Sequence, residues 1–419
     1  VTPPHVQPYR LFEVTGIEVE YAIVDRALRP RCLVEQALRR LAGRPTSEVR
    51  SGEVGFSNEL AAHVLEIKTW DPARSLADAE ASLYMGLRHL IRLLRDEFDA
   101  CLLPTGMHPF MRPTDATLWR RAGRRIYQAY AQLFPIHQHG WMNLQCSHIN
   151  LPFGAEAETV ALHNAIACLL PYLPALSASS PIYEGRLGPY VDNRLAFYRR
   201  NQASLPQITG RVIPEFMTSY RQYRREILSV IYQALTDMPG AEVLRHEWVN
   251  SRGAILRFDR RAIEIRILDT QECVKMDVAL IVFIRGVLKR MVSKLLEGTL
   301  SLPDQAMLVQ DFTNVIRRGT RAPIHAMHLR PPSDRRGRTT TPTPVLLRLL
   351  EMAQQETGAS ERGYLRLVEA RIRRGNLSER IARALTRGRK KGHAQRTNTI
   401  RRVYTELIDC LESNTPWEG

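Results

Sequence analysis

Two segments constrain this chain more than any others: GIEVEYAIVD, residues 16–25, and AIEIRILD, residues 262–269. In each, apolar and polar residues alternate with the two-residue period of a half-buried strand. On such a strand Glu18 and Glu20 project from one face while Ile17, Val19 and Tyr21 occupy the other. In the second segment Glu264, Arg266 and Leu268 share a face and Ile263, Ile265 and Ile267 take the opposite one. A sheet built from these strands has one apolar side that needs cover and one side on which carboxylates gather.

The rest of the sequence supplies the cover. FSNELAAHVLEIKTW reads as a second strand region and HGWMNLQCSHINLPF as a third, and AILRFDRRAIEIRILD reads as two strands joined by a charged turn. Between them Leu76, Ala79, Leu83, Leu87, Leu90, Ile91 and Leu94 recur at helical spacing, which predicts an amphipathic helix lying on the sheet. Further helices are predicted over Glu156 to Leu173 and Val278 to Leu300, whereas SASSPIYEGRLGPYVDNRLAFY reads as a loop that approaches a ligand. The fold class is therefore α+β, with helices covering one side of a sheet. Composition shifts after Arg330, so three parts are expected: residues 1–330 as the catalytic unit, 331–345 as a Pro/Arg/Thr-rich linker, and 346–419 as a basic helical extension.

With 44% hydrophobic and 24% charged residues, the composition excludes a disordered or collagenous chain. No stretch reaches the roughly 20 apolar residues of a membrane span, and Val1 to Phe12 lack the apolar core of a signal peptide, so no membrane contact and a cytoplasmic location are expected. Six dispersed cysteines without a CxxC pair read as reduced thiols. The net charge of +16 attracts acidic ligands, among them nucleotides, nucleic acid and anionic protein surfaces. Its densest run, RALTRGRKKGHAQR, reads first as a solvated helical surface and, as the alternative, as a peptide, protein or RNA contact.

Glu18 and Glu20 form the kind of carboxylate pair that can hold Mg²⁺, which prefers octahedral oxygen ligation completed by water and substrate phosphate; a wet strand face would carry the same pair. Glu264 beside Arg266 could bind metal and an oxyanion together, or be a simple ion pair. Glu59 and Glu66 stand an odd number of residues apart, so a bend or bulge is needed to bring them to one face. His137, His139, Cys146, His148 and Asn150 tempt a zinc reading, but their spacing is not that of a zinc site and the hard oxygen donors nearby oppose it. His148 with Asn150 could instead join a carboxylate cluster. Neither GxxxxGK[ST], GxGxxG nor GxSxG occurs, which removes P-loop, dinucleotide and serine-hydrolase readings.

The order of the motifs GIEVEYAIVD, NELAAHVLEIKT, PTGMHPF, LQCSHINLPF, LSASSPIYEGRLG with Arg194, and AIEIRILD resembles the second type of the glutamate-cysteine ligase family, carboxylate-amine ligases of the glutamine synthetase superfamily. That resemblance implies a curved antiparallel sheet forming a funnel, with helices outside, ATP at one end and an amino acid at the other. It further implies Mg²⁺ held by Glu18, Glu20, Glu59, Glu66, His148 and Glu264, nucleotide contacts from Glu18, Glu66, His148 and Arg266, and catalytic roles for Glu264, Arg266 and Arg194. The expected reaction runs through an acyl phosphate of an amino acid such as glutamate, which an amine then attacks, in a homo-oligomer. Two departures stand out: His148-Ile-Asn150 replaces the HxH of many relatives, and SPIYEGRLGPYVDN differs from the usual aromatic and threonine-glycine pattern. A rival expectation is a non-catalytic protein that binds nucleic acid or an acidic partner through its basic C-terminal region.

Overall fold

The computed structural model describes residues 9–331, 339–387 and 393–419, and places the alternating segments in one antiparallel sheet. The strands are β1 Gly16–Asp25, β2 Glu48–Ser51, β3 Val54–Asn58, β4 Val64–Thr69, β5 Ala100–Leu103, β6 Cys146–Pro152, β7 Ile182–Tyr183, β8 Arg186–Leu187, β9 Ala254–Arg257 and β10 Ala262–Asp269. Eight of them form the sheet in the order β2-β3-β4-β1-β6-β10-β9, with β5 pairing the end of β1, while β7 and β8 make a separate hairpin. The sheet is open, because its outer strands β2 and β9 do not pair with each other.

The longer helices are α1 Val34–Ala42, α2 Leu76–Phe98, α3 Arg124–Leu133, α4 Glu156–Leu169, α5 Asn193–Tyr198, α6 Val274–Leu296, α7 Gln305–Arg318, α8 Pro342–Glu356, α9 Arg362–Arg374, α10 Leu377–Thr386 and α11 His393–Ser413. Ile17, Val19, Tyr21 and Ile23 of β1, with Phe56, Ile67, Ile149 and Ile265, share one buried core with α2 and α6. No helix among the described residues is long and apolar enough to cross a membrane.

Three local readings are corrected. The second strand region is two strands: the chain reverses between β3 and β4, so Glu59 lies in the connection and Glu66 on β4. This reversal supplies the bend that their odd separation demanded. In β10 the pairing with β6 shifts between Ile265 and Leu268, a β-bulge that opposes Leu268 to Ser147 and Asp269 to Cys146. An extra residue inverts the alternation beyond it. Leu268 therefore leaves the face of Glu264 and Arg266 for the core, and Asp269 takes its place. The loop-rich passage holds the β7–β8 hairpin and α5.

The helices after residue 346 do not form a separate body. Val345, Leu346, Leu349, Leu350, Leu365, Val368 and Ile372 belong to the same core as the sheet. α8 crosses α6 closely enough that a Cβ on Gly286 would lie 3.0 Å from the Ala353 backbone, so a larger residue there would require the helices to part by a few tenths of an ångström. α10 and α11 go to the other side of the sheet: Leu377, Ile381, Ile400, Val403, Tyr404 and Leu407 bury Ala22 and Val24 of β1. The two ends of that face of β1 thus differ, Glu18 and Glu20 open to a cavity and Ala22 and Val24 sealed by C-terminal helices. The centre of the basic run, residues 388–392, and residues 332–338 of the linker lie outside the described residues.

Candidate active site

Strand register brings the acids together. Glu18 of β1 faces Lys68 of β4 on one side and His148 of β6 on the other; Glu20 faces Glu66; Glu264 faces Asn150. All of these side chains except Asn150, with Glu59, Arg257, Arg260 and Arg266, line a cavity of about 460 Å³ that is also walled by Tyr127, Tyr130, Trp141, Tyr198 and Trp248. A second cavity of about 580 Å³, with Tyr9, Trp70 and Arg261 in its wall, shares Glu18, Lys68 and Arg260 with the first.

Within the first cavity, one ligand atom each from Glu20, Glu59 and Glu66 lie within 4.8 Å of one another, and the same holds for Glu18, Glu66 and His148. The cations present are already engaged. Lys68 Nζ lies 3.2 Å from Glu66 and 2.6 Å from Glu48. Arg260 reaches Glu18 at 3.3 Å, and Arg257 and Arg266 grip Glu264 at 2.9 and 3.0 Å. Among the described residues no lysine or arginine makes an ion pair with Glu20 or Glu59. Ser57 donates to Glu66 Oε1 at 2.7 Å, and the Cys146 backbone N–H donates to Glu20 Oε2 at 2.9 Å.

The electrostatics follow from this uneven pairing. Burial, reinforced by the neighbouring Glu20 and Glu66, pushes the Glu59 carboxyl well above the ordinary range. Burial also raises Glu20, and burial with the Glu18 charge raises Glu66 to about 7. Glu18 goes the other way: burial opposes ionisation, but its hydrogen bond to His148 and the charges of His148, Arg260 and Lys68 hold it low. Burial likewise opposes ionisation of Glu264, and Arg266, His148 and Arg257 keep it charged. Burial works against the His148 imidazolium, yet Cys146, Glu18 and Glu264 raise it well above the usual histidine value.

Sequence reasoning placed Glu18, Glu20, Glu59, Glu66, His148, Glu264 and Arg266 in one site, and all of them line this cavity. Arg194 does not. It is 1% exposed, and its guanidinium is held by Asp269 and the Ile267 carbonyl, which fixes β10 beyond the bulge rather than meeting a substrate. His137 is exposed, and His139 bonds Glu184 at 3.2 Å among Tyr183 and Phe197, so neither joins the cluster. Lys68 escaped the reading although the signal was present: in VLEIKT it follows Glu66 by two residues and must share its face. Arg257 had the same kind of signal at the end of AILR. The aromatic wall comes from separate helices and loops and had no local signature.

A sequence model described as glutamate-cysteine ligase family 2 matches residues 14–406. The chain belongs to that family. An uncharacterized protein of Archaeoglobus fulgidus is 38% identical over 399 residues, covering 95% of this chain and 98% of its own. The fold is that of the glutamate–cysteine ligase of Francisella tularensis, solved in complex with AMP: TM-score 0.59, 13% identity, 96% of this chain and 90% of that one. A bifunctional glutathione synthetase of Pasteurella multocida matches with TM-score 0.56 and 14% identity over 95% of this chain and 52% of that one. As a member of glutamate-cysteine ligase family 2, the chain is a carboxylate-amine ligase, and the match extends through α8, α9, α10 and into α11. These helices are part of the family unit rather than an appendage to it.

Proposed function

We propose that this family member forms an amide bond by spending ATP to activate an amino-acid carboxylate, glutamate being the fitting case, for attack by an amine. The observation that carries the reading is the gathering of Glu18, Glu20, Glu59, Glu66 and His148 in one cavity, where among the described residues no lysine or arginine makes an ion pair with Glu20 or Glu59. The donors fit Mg²⁺, being mostly carboxylate oxygens in a cavity that leaves room for water and phosphate. Glu18, Glu20, Glu59, Glu66, His148 and Glu264 would hold the ions, which when bound neutralise phosphate oxygens and make the terminal phosphoryl group more electrophilic.

The chain's own residues do the rest by position. Lys68 and Arg260 border both cavities and are placed to hold a phosphate chain that crosses between them. Arg266 donates to the Asn250 carbonyl at 3.2 Å and is braced by Glu264, so its guanidinium meets charge on the transferring phosphoryl without having to reorganise. Transfer to the substrate carboxylate yields an acyl phosphate and ADP. Attack by the amine expels phosphate and leaves the amide, with no covalent protein intermediate. The aromatic side chains around the first cavity would limit water access to the acyl phosphate.

Incubated with ATP, Mg²⁺, glutamate and a panel of amines, the protein is expected to release ADP and phosphate in step with amide formation. Glu18→Gln and Glu264→Gln should each lower turnover by on the order of 100-fold or more while circular dichroism is unchanged. Full turnover in both variants would overturn the assignment of the ligands.

A further inference from the structure

The cavity contains a second donor set of different chemistry, on the β6 side of β1. Cys146 Sγ donates to Glu20 Oε2 at 3.3 Å and lies 3.1 Å from His148 Nε2. One ligand atom from each of Glu20, Cys146 and His148 lies within 4.8 Å of the others, and all three residues are buried and line the cavity. In a tetrahedral zinc site the sulfur, nitrogen and oxygen ligands stand about 3.5 Å apart, so these contacts need to open by only a few tenths of an ångström. The other ring nitrogen, His148 Nδ1, is 3.0 Å from Glu18 Oε2. A carboxylate on the far nitrogen is the usual support of a metal-bound histidine, since it orients the ring and leaves the near nitrogen for the ion.

We propose that Glu20, Cys146 and His148 form a site for a thiophilic divalent cation, Zn²⁺ being the fitting case, with its fourth position open to the cavity. Without the ion, the thiol donates to Glu20 and the sulfur lies against His148 Nε2. Loading forms one bond each to sulfur, nitrogen and oxygen and releases the thiol proton, together with any proton carried by Nε2, to solvent. The spacing of Cys146 and His148 in the chain hid the site, because its third donor comes from β1. An ion bound there takes Glu20 and His148 away from Mg²⁺ and therefore antagonises turnover. The antagonism rests on the ligase reading, whereas the coordination site does not.

Metal-stripped full chain titrated with Co²⁺, a spectroscopic substitute for Zn²⁺, is expected to show a thiolate-to-cobalt charge-transfer band that Zn²⁺ abolishes and excess Mg²⁺ does not. Cys146→Ser should remove the band and weaken Zn²⁺ binding by on the order of 100-fold, and Glu18→Gln should weaken it about 10-fold. Cys32→Ser should change neither. In the unmutated protein Zn²⁺, but not Mg²⁺, should protect Cys146 from a small alkylating agent, read by mass spectrometry; this arm does not depend on a variant folding. No charge-transfer band in the parent chain, a band that survives in folded Cys146→Ser, or alkylation of Cys146 unaffected by Zn²⁺ would each overturn the proposal. Because every readout is binding, loss of the ligase reading alone would leave the site standing.

Discussion

Two groups of buried acids lie close together in this molecule, and the fold treats them oppositely. At the end of β10, Asp269 is matched by Arg194, and Glu272 by Arg371, whose Nη2 donates to both carboxylate oxygens at 2.6 and 2.8 Å. In the cavity, Glu20 and Glu59 pair with no lysine or arginine among the described residues, and Glu66 shares Lys68 with Glu48. Glu20 and Glu66 are buried much as Asp269 and Glu272 are, and Glu59 is half-buried, so burial alone does not divide the groups. A carboxylate that is matched within the chain holds the chain together, and one left unmatched is a place for cations from outside. The two groups touch: Thr270 Oγ1 donates to the Glu20 carbonyl at 2.9 Å, which ties the matched segment to the strand that carries the unmatched acids.

The largest effect should come from unbalancing the matched group. Arg371→Met leaves Glu272 buried without its partner and should cost about 3–5 kcal/mol in chemical denaturation. Adding Glu272→Gln should recover most of that loss, and if it does not, charge matching is not what α9 supplies. Next is Asp277, in α6, whose Oδ1 accepts from Ser147 and from the Gln271 backbone but which has no arginine partner among the described residues. Burial raises its carboxyl to about 7, so the fold favours the protonated form. That contribution is complete below the ordinary aspartate value and is lost as pH rises through about 7. Relative to the parent chain, Asp277→Asn should therefore gain stability between pH 5 and pH 8, by on the order of 2 kcal/mol; a constant difference across that range would deny the shift.

Smaller still, Glu66→Gln should change the stability of cation-free protein by no more than about 1 kcal/mol, since it removes both the repulsion from Glu18 and the attraction to Lys68 while leaving an acceptor for Ser57. It should nevertheless reduce the rise in melting temperature caused by millimolar Mg²⁺. A loss of several kcal/mol would move Glu66 into the matched group. The smallest change is expected at Arg373→Ala, whose exposed pair with Glu369 should be worth less than about 0.5 kcal/mol.

Most of the unmatched group was legible in the sequence and almost none of the matched group was. Glu18, Glu20 and Glu264 announce themselves by breaking an apolar alternation, and the strand period then dictates that they share a face. The family order of motifs added Glu59, Glu66 and His148. The bulge in β10 left one trace, the adjacent apolar pair Ile267-Leu268 that breaks the alternation of AIEIRILD, but only the β6 register shows that an extra residue lies there. This is why Leu268 was assigned to the wrong face and the role of Asp269 was missed, and with it the structural role of Arg194. Arg371 reads locally as one more surface base of an Arg-rich helix. Its importance arises from Glu272, and pairing across such a distance leaves no periodic trace.

The Arg371–Glu272 pair also orders events in time. Arg371 follows Glu272 by 99 residues, and the Trp417 backbone N–H that approaches the same carboxylate follows it by 145. During translation the acid emerges long before its neutralising base, so the nascent chain carries an unsatisfied charge in a segment that ends up dry. The segment after β10 can therefore take its final, fully paired form only once α9 has left the ribosome.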